Sequence, residues 1–154
     1  RILVIMAQAA PAISAELSAK IREFTKKNFD HFEANVTQEQ RDLATTDLAK
    51  FKAEPEWVQA RVAEMNGDFA EADADGNGRL DAAESRVFLT KVFERGAARG
   101  NFTLSWDGYH EQAYEIYNAI DSSADGYNMA DFMTMAGATV GFWEEFKAAK
   151  EAAQ

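Results

Sequence analysis

The chain is expected to be all-α, a helix-loop-helix pair preceded by a helical hairpin. Three observations predict this. Apolar residues recur at steps of three and four in several stretches of the 154 residues, as one face of a helix requires. Start and stop signals bracket those stretches: Ser14, the capping-box spacing Thr37-Gln-Glu-Gln40, Pro55 and Gly100-Asn101. Finally, Asp73-Ala74-Asp75-Gly76-Asn77-Gly78-Arg79-Leu80-Asp81-Ala82-Ala83-Glu84 carries polar side chains at alternate positions and closes on a glutamate, so its oxygens can converge between two helices.

Three segments are expected: 1–13, flexible or docking; 14–54, the hairpin; and 57–154, the helix-loop-helix pair with a C-terminal helix. Arg1-Ile-Leu-Val-Ile-Met6 is a short apolar prefix, read as a leader remnant, an expression scar or a docking strand, and too short for an intact signal peptide. Ser14 then caps a helix whose Leu17, Ile21, Phe24, Asn28 and Phe32 share a face, leaving Lys20, Arg22, Lys26 and Lys27 to solvent. Thr37 opens a second helix carrying Leu43, Leu48 and Phe51, which Pro55 ends. From Trp57, the residues Val58, Val62, Met65, Phe69 and Ala72 line the helix that enters the Asp73 stretch; Phe88, Leu89 and Val92 line the one that leaves it. Arg86, Lys91, Arg95 and Arg99 bring cations toward the latter's C-terminus, where the helix dipole favours them. Gly96 and then Gly100-Asn101 end it.

The chemistry of the Asp73 stretch asks for each residue in turn. Ca²⁺ takes oxygen ligands at roughly 2.3–2.6 Å, and a loop of about 12 residues supplies them from positions 1, 3, 5, 7, 9 and 12. Here those are Asp73, Asp75, Asn77, the main-chain carbonyl of Arg79, Asp81 directly or through water, and a bidentate Glu84. Gly78 falls where the chain turns sharply through angles that glycine adopts cheaply. On these residues the chain resembles the EF-hand (calmodulin-superfamily) proteins, and is similar to their small protist and sarcoplasmic types. The resemblance spans about 57–147, and more weakly 14–52, where Glu33, Asn35 and Thr37 mimic the start of a loop without its glycine or terminal glutamate.

A second loop opens with Asp121, Ser123, Asp125, Gly126 and a carbonyl at Tyr127, then fails: Asn128, Met129 and Phe132 stand where an apolar residue, a ligand and a glutamate belong, and Asp131 arrives one residue early. Asp121, Ser123, Asp125 and Tyr127 are therefore a weak metal set at most, since affinity follows ligand charge. The resemblance implies that the loops pair as a short two-stranded antiparallel ribbon, with Leu80 opposite Tyr127-Asn128. After Asp131 come Met133, Met135, Val140, Phe142, Trp143 and Phe146, interrupted by Gly137 and Gly141, which suggest a kink or break before a terminal helix from Phe142 to Ala152. That helix either plugs the groove of the pair or leaves it when calcium binds.

A formal charge of −10, from 16 basic against 26 acidic residues, argues against nucleic acid or anionic membrane as partner. The chain has no cysteine, hence no disulfide or thiolate chemistry, which is compatible with a cytoplasmic location. No run approaches the roughly 20 apolar residues of a membrane span. The triplets Asn35-Val-Thr37 and Asn101-Phe-Thr103 match the glycosylation pattern, but without a recognisable signal chance explains them better. His31 and His110 have no nucleophile motif beside them, so no enzyme is expected. What remains is a Ca²⁺ site, open to Mg²⁺ as well, in a calcium-responsive module for a partner protein such as an amphipathic helix. The alternatives are a constitutive subunit of a larger assembly and a non-opening buffer.

Overall fold

The computed structural model describes residues 13–154, so the expectations for the prefix 1–12 lie outside the described residues. Among the described residues, six helices follow one another: α1 (Ala15–Asn35), α2 (Gln38–Ala53), α3 (Pro55–Ala72), α4 (Ala82–Ala98), α5 (Tyr109–Ile120) and α6 (Met129–Ala152).

Local signals set most of the boundaries. The Ser14 side chain accepts the Leu17 N–H at 3.1 Å and caps α1. Thr37 and Gln40 form the expected reciprocal box at the start of α2. Only Val36 and Thr37 separate the two helices, so Glu33 and Asn35 lie in the last turns of α1 and no loop forms there. Pro55 stands in the first turn of α3, where its missing N–H leaves no bond unmade. At the end of α4, Gly100 adopts φ +92°; its N–H reaches the Ala97 carbonyl at 2.9 Å, and the Asn101 N–H reaches that of Gly96 at 2.9 Å. This is a Schellman stop, with Gly96 itself inside the helix.

The core gathers Phe69, Leu80, Phe88, Leu89, Tyr117, Tyr127, Phe132 and Met135 from α3 to α6 and the loops between them. Aromatic rings meet edge to face, Phe69 with Phe88 at 5.5 Å and Phe88 with Phe132 at 5.1 Å. Ile21 and Phe24 of α1, at 0% and 2% exposure, belong to this same core. Burying one such side chain fully stabilises by about 2 kcal/mol, so α1 is a structural part of the 57–154 unit. α2 is different: it buries no residue, and Leu43, Leu48 and Phe51 are only half covered.

Two expectations are corrected. First, α6 runs unbroken through Gly137 and Gly141. Two glycines lower helix propensity by about 1 kcal/mol each, but both face solvent while Phe132, Met135 and Phe146 are buried. Trp143, two residues beyond Gly141, packs against Phe29 and Phe32 of α1, each at 5.1 Å. Packing overrides propensity, and the helix end docks on α1. Second, no strand forms among the described residues. The expected ribbon shrinks to one antiparallel bridge, with the Leu80 N–H on the Tyr127 carbonyl at 2.8 Å and the reverse bond at 3.2 Å. It stops there because Asp81 and Asn128 already cap helices. Arg95 stands in the last turn of α4 as expected, and the cations of that helix also join neighbouring helices: Arg86 to Glu111, Lys91 to Glu71, and Arg95 to Asp68 through two bonds of 2.6 and 3.1 Å. That fork explains how Asp68 is buried on α3, a position the apolar pattern did not single out. Among the described residues, no helix is long and apolar enough to cross a membrane.

Candidate metal centre

The stretch between α3 and α4 is built by its own side chains bonding its own backbone. Asp73 follows the last turn of α3, and its Oδ2 accepts the Gly78 N–H at 2.8 Å. Gly78, at φ +81°, holds the left-handed turn that aims this N–H inward. Asp75 Oδ1 accepts the Asn77 N–H at 3.2 Å, and Asn77 Oδ1 accepts the Arg79 N–H at 2.8 Å. Asp81 caps α4 by accepting the Glu84 N–H at 2.9 Å. Glu84 answers with Oε1 on the Asp81 N–H at 3.1 Å, while its Oε2 takes the Ala74 N–H at 2.7 Å. Glu84 thus clamps the first turn of α4 to the start of the loop. It is buried, whereas Asp75, Asn77 and Asp81 face solvent.

Two features would suit a cation. Asp73, Asp75 and Glu84 each place a carboxylate oxygen within 4.8 Å of the others; ligands about 2.3–2.6 Å from one Ca²⁺ lie at most about 5 Å apart. Asp73 Oδ1 is also buried and has no hydrogen-bond partner. A buried charged oxygen without a partner is unfavourable by about 1–3 kcal/mol or more, and a hard cation among the three carboxylates would satisfy it. Among the described residues, no ion pair involves Asp73, Asp75, Asp81 or Glu84. The donor set is all oxygen, as calcium or magnesium requires.

The loop between α5 and α6 is arranged otherwise. Its exiting helix begins at Met129, capped by a reciprocal box between Asn128 and Asp131 at 2.8 and 3.0 Å. Asn128 and Asp131 therefore stand where Asp81 and Glu84 stand in the first loop, and Tyr127 stands opposite Leu80. The second loop is one residue shorter, eleven residues from Asp121 to Asp131 against twelve from Asp73 to Glu84. Asp131 is not early; the loop is short. Asn128-x-x-Asp131 has the spacing of a capping box, so the sequence carried this signal and the twelve-residue frame hid it.

The weak ligand set expected here is dispersed. The Tyr127 carbonyl, expected to face a metal, accepts the Leu80 N–H instead. Ser123 gives its hydroxyl and N–H to Asp121 Oδ1 at 2.5 and 3.1 Å. These bonds, with a smaller contribution from Arg79, hold the Asp121 carboxyl below its ordinary value. The Asp125 side chain is exposed, and Gly126 donates to Asn118 Oδ1 at 2.7 Å. Gly126 has φ +83°, and a Cβ on it would lie 2.5 Å from the Leu80 carbonyl oxygen. The glycine is demanded by the approach of the first loop as much as by the turn. The histidines lie elsewhere, His31 against Phe102 and His110 beside Phe93 and Tyr109. No family model, curated protein or solved structure matches the chain, so a functional reading stands on this loop chemistry.

Proposed function

We propose that the protein binds one Ca²⁺ through residues 73–84 and works as a calcium-responsive binding module of the EF-hand type. The observation that carries this reading is Asp73 Oδ1, buried and unpartnered within reach of Asp75 and Glu84. Asp73, Asp75, Asn77, the Arg79 carbonyl, Asp81 and Glu84 would hold the ion. The bidentate role of Glu84 favours Ca²⁺, because Mg²⁺ demands tighter octahedral geometry at roughly 2.0–2.1 Å and keeps water.

The bound ion would neutralise carboxylates that otherwise repel one another, and the chain's own residues would carry the change outward. Glu84 belongs to both the ligand set and the first turn of α4. Leu80, next to two ligands, is bridged to Tyr127, whose hydroxyl meets Ser85 of α4 at 2.7 Å. A shift at the loop therefore reaches α4 and the second loop together. A partner's amphipathic helix would compete with α1, whose Ile21 and Phe24 fill the apolar face of α3 to α6. That same filling favours a second reading, a buffer or fixed subunit that does not open: among the described residues, Val87, at 46%, is the large apolar side chain left exposed.

Calorimetry should find one strong calcium site per chain, and Glu84→Gln should weaken it by about 100-fold or more. Two equal sites, or calcium uptake indifferent to Glu84, would end the proposal. A hydrophobic dye that brightens on calcium addition selects the responsive module; tight uptake with a silent dye selects the buffer.

A further inference from the structure

The side chain of Arg79 leaves its own loop and enters the other one. Its Nη2 donates to the Gly126 carbonyl at 2.7 Å and lies 3.4 Å from Asp131 Oδ2. Its Nε donates to the Asp125 carbonyl at 3.3 Å, and its Nη1 is 3.7 Å from Asp121 Oδ2. Two carboxylates and two carbonyls of one loop thus converge on a single cation. Arg79 and Asp131 are well enclosed, with side-chain exposures of 19% and 7%, while Asp121 is 40% exposed. Every other arginine or lysine that pairs with an acid among the described residues does so with one carboxylate or with a carboxylate of an adjoining helix; only Arg79 gathers main-chain oxygens as well.

We infer that Arg79 is the resident cation of the loop 121–131: a guanidinium, anchored covalently in the opposite loop, stands in the role a metal ion would otherwise fill. Its planar fork supplies donors in several directions at once, which a compact ion pair does not. Because the charge is part of the chain, the second loop is held closed, and bridged to Leu80, with or without divalent metal. The inference stands apart from the calcium reading of residues 73–84, since it concerns the side chain of Arg79 and the oxygens of the other loop.

The test is a thermal-unfolding cycle in excess chelator, so that its outcome leaves the calcium proposal untouched. Arg79→Met strands the buried Asp131 carboxylate and should lower the melting temperature by about 6 °C. Asp131→Asn alone should also lower it, whereas the double variant should recover a large part of the Arg79→Met loss, because no buried charge is then left unpaired. Losses that simply add would overturn the inference. If Arg79→Met does not yield folded protein, Arg79→Lys serves in its place. Charge without the fork should retain part of the coupling to Asp131, and a lysine variant that shows none would overturn the inference equally.

Discussion

Between α3 and α4, three carboxylates place an oxygen within 4.8 Å of one another with no cationic side chain among them; between α5 and α6, two carboxylates face the guanidinium of Arg79. The backbones do the same work. Each loop starts its exiting helix with a reciprocal box, Asp81 with Glu84 and Asn128 with Asp131, and each contributes one residue to the Leu80–Tyr127 bridge. What differs is the source of compensating charge. The longer loop keeps its acids turned toward one point and leaves Asp73 Oδ1 without a partner, whereas the shorter loop finds its cation inside the chain. Scaffold and compensating charge are separable: the two loops share the first and differ in the second.

The largest effect that would test this comparison comes from the glycines that let the loops meet. Gly126→Ala puts a methyl 2.5 Å from the Leu80 carbonyl oxygen at a φ of +83°, and should destabilise by about 3 kcal/mol in urea unfolding. Gly78→Ala has the same backbone strain with nothing within 4 Å, and should lose only about 1 kcal/mol. Equal losses would mean that the approach of the two loops does not govern Gly126. Next in size is Tyr127→Phe, which deletes the hydroxyl that meets Ser85 in the core and should lose about 1.5 kcal/mol. Adding Ser85→Ala should then change little more, since neither polar group would be left without its partner.

Glycines in α6 should respond in the opposite direction. Gly137 and Gly141 have helical backbone and open space around a built Cβ, so Gly137→Ala and Gly141→Ala should each stabilise by about 0.7 kcal/mol. Destabilisation at either position would show that the helix needs its glycines. The smallest effect belongs to the acid-bearing turn that is not a loop. Burial would push the Glu33 carboxyl up, but hydrogen bonds from Arg41, at 2.6 and 2.7 Å, and from Lys150 outweigh it and hold the group below its ordinary value. A depressed folded pKa contributes stability that is complete above the unfolded glutamate value of about 4.3 and is lost as pH falls through the folded one. The stability gap between wild type and Glu33→Gln should therefore be present near neutrality and close on acidification below about pH 4. A gap that widens in acid would reverse the sign of this account.

How much was legible beforehand depended on how local the cause was. Ser14, Thr37 with Gln40, Pro55 and Gly100 act on backbone groups within a few residues, and each sits where its spacing placed it. The ring of Asp73, Asp75 and Glu84 is likewise internal to one short stretch. The unbroken α6 was not legible, because Trp143 is held by Phe29 and Phe32, more than a hundred residues earlier. Nor was the burial of Asp68, which depends on Arg95 one helix away. The frame of the second loop was half visible: the Asn128-Asp131 spacing was present, but only the Leu80–Tyr127 bridge reveals that a residue is missing.

By itself, then, the order of residues determined the helix ends at Ser14, Thr37, Pro55 and Gly100 and the grouping of Asp73, Asp75 and Glu84, because those outcomes follow from bonds within one short stretch of chain. Tertiary structure alone decided that α1 fills the apolar face of the other helices, that α6 passes straight through its glycines, and that Arg79 serves a loop other than its own. Each of these is settled by groups distant in sequence that exclude water from one another. The balance of burial and charge at such places exists only once the chain has closed.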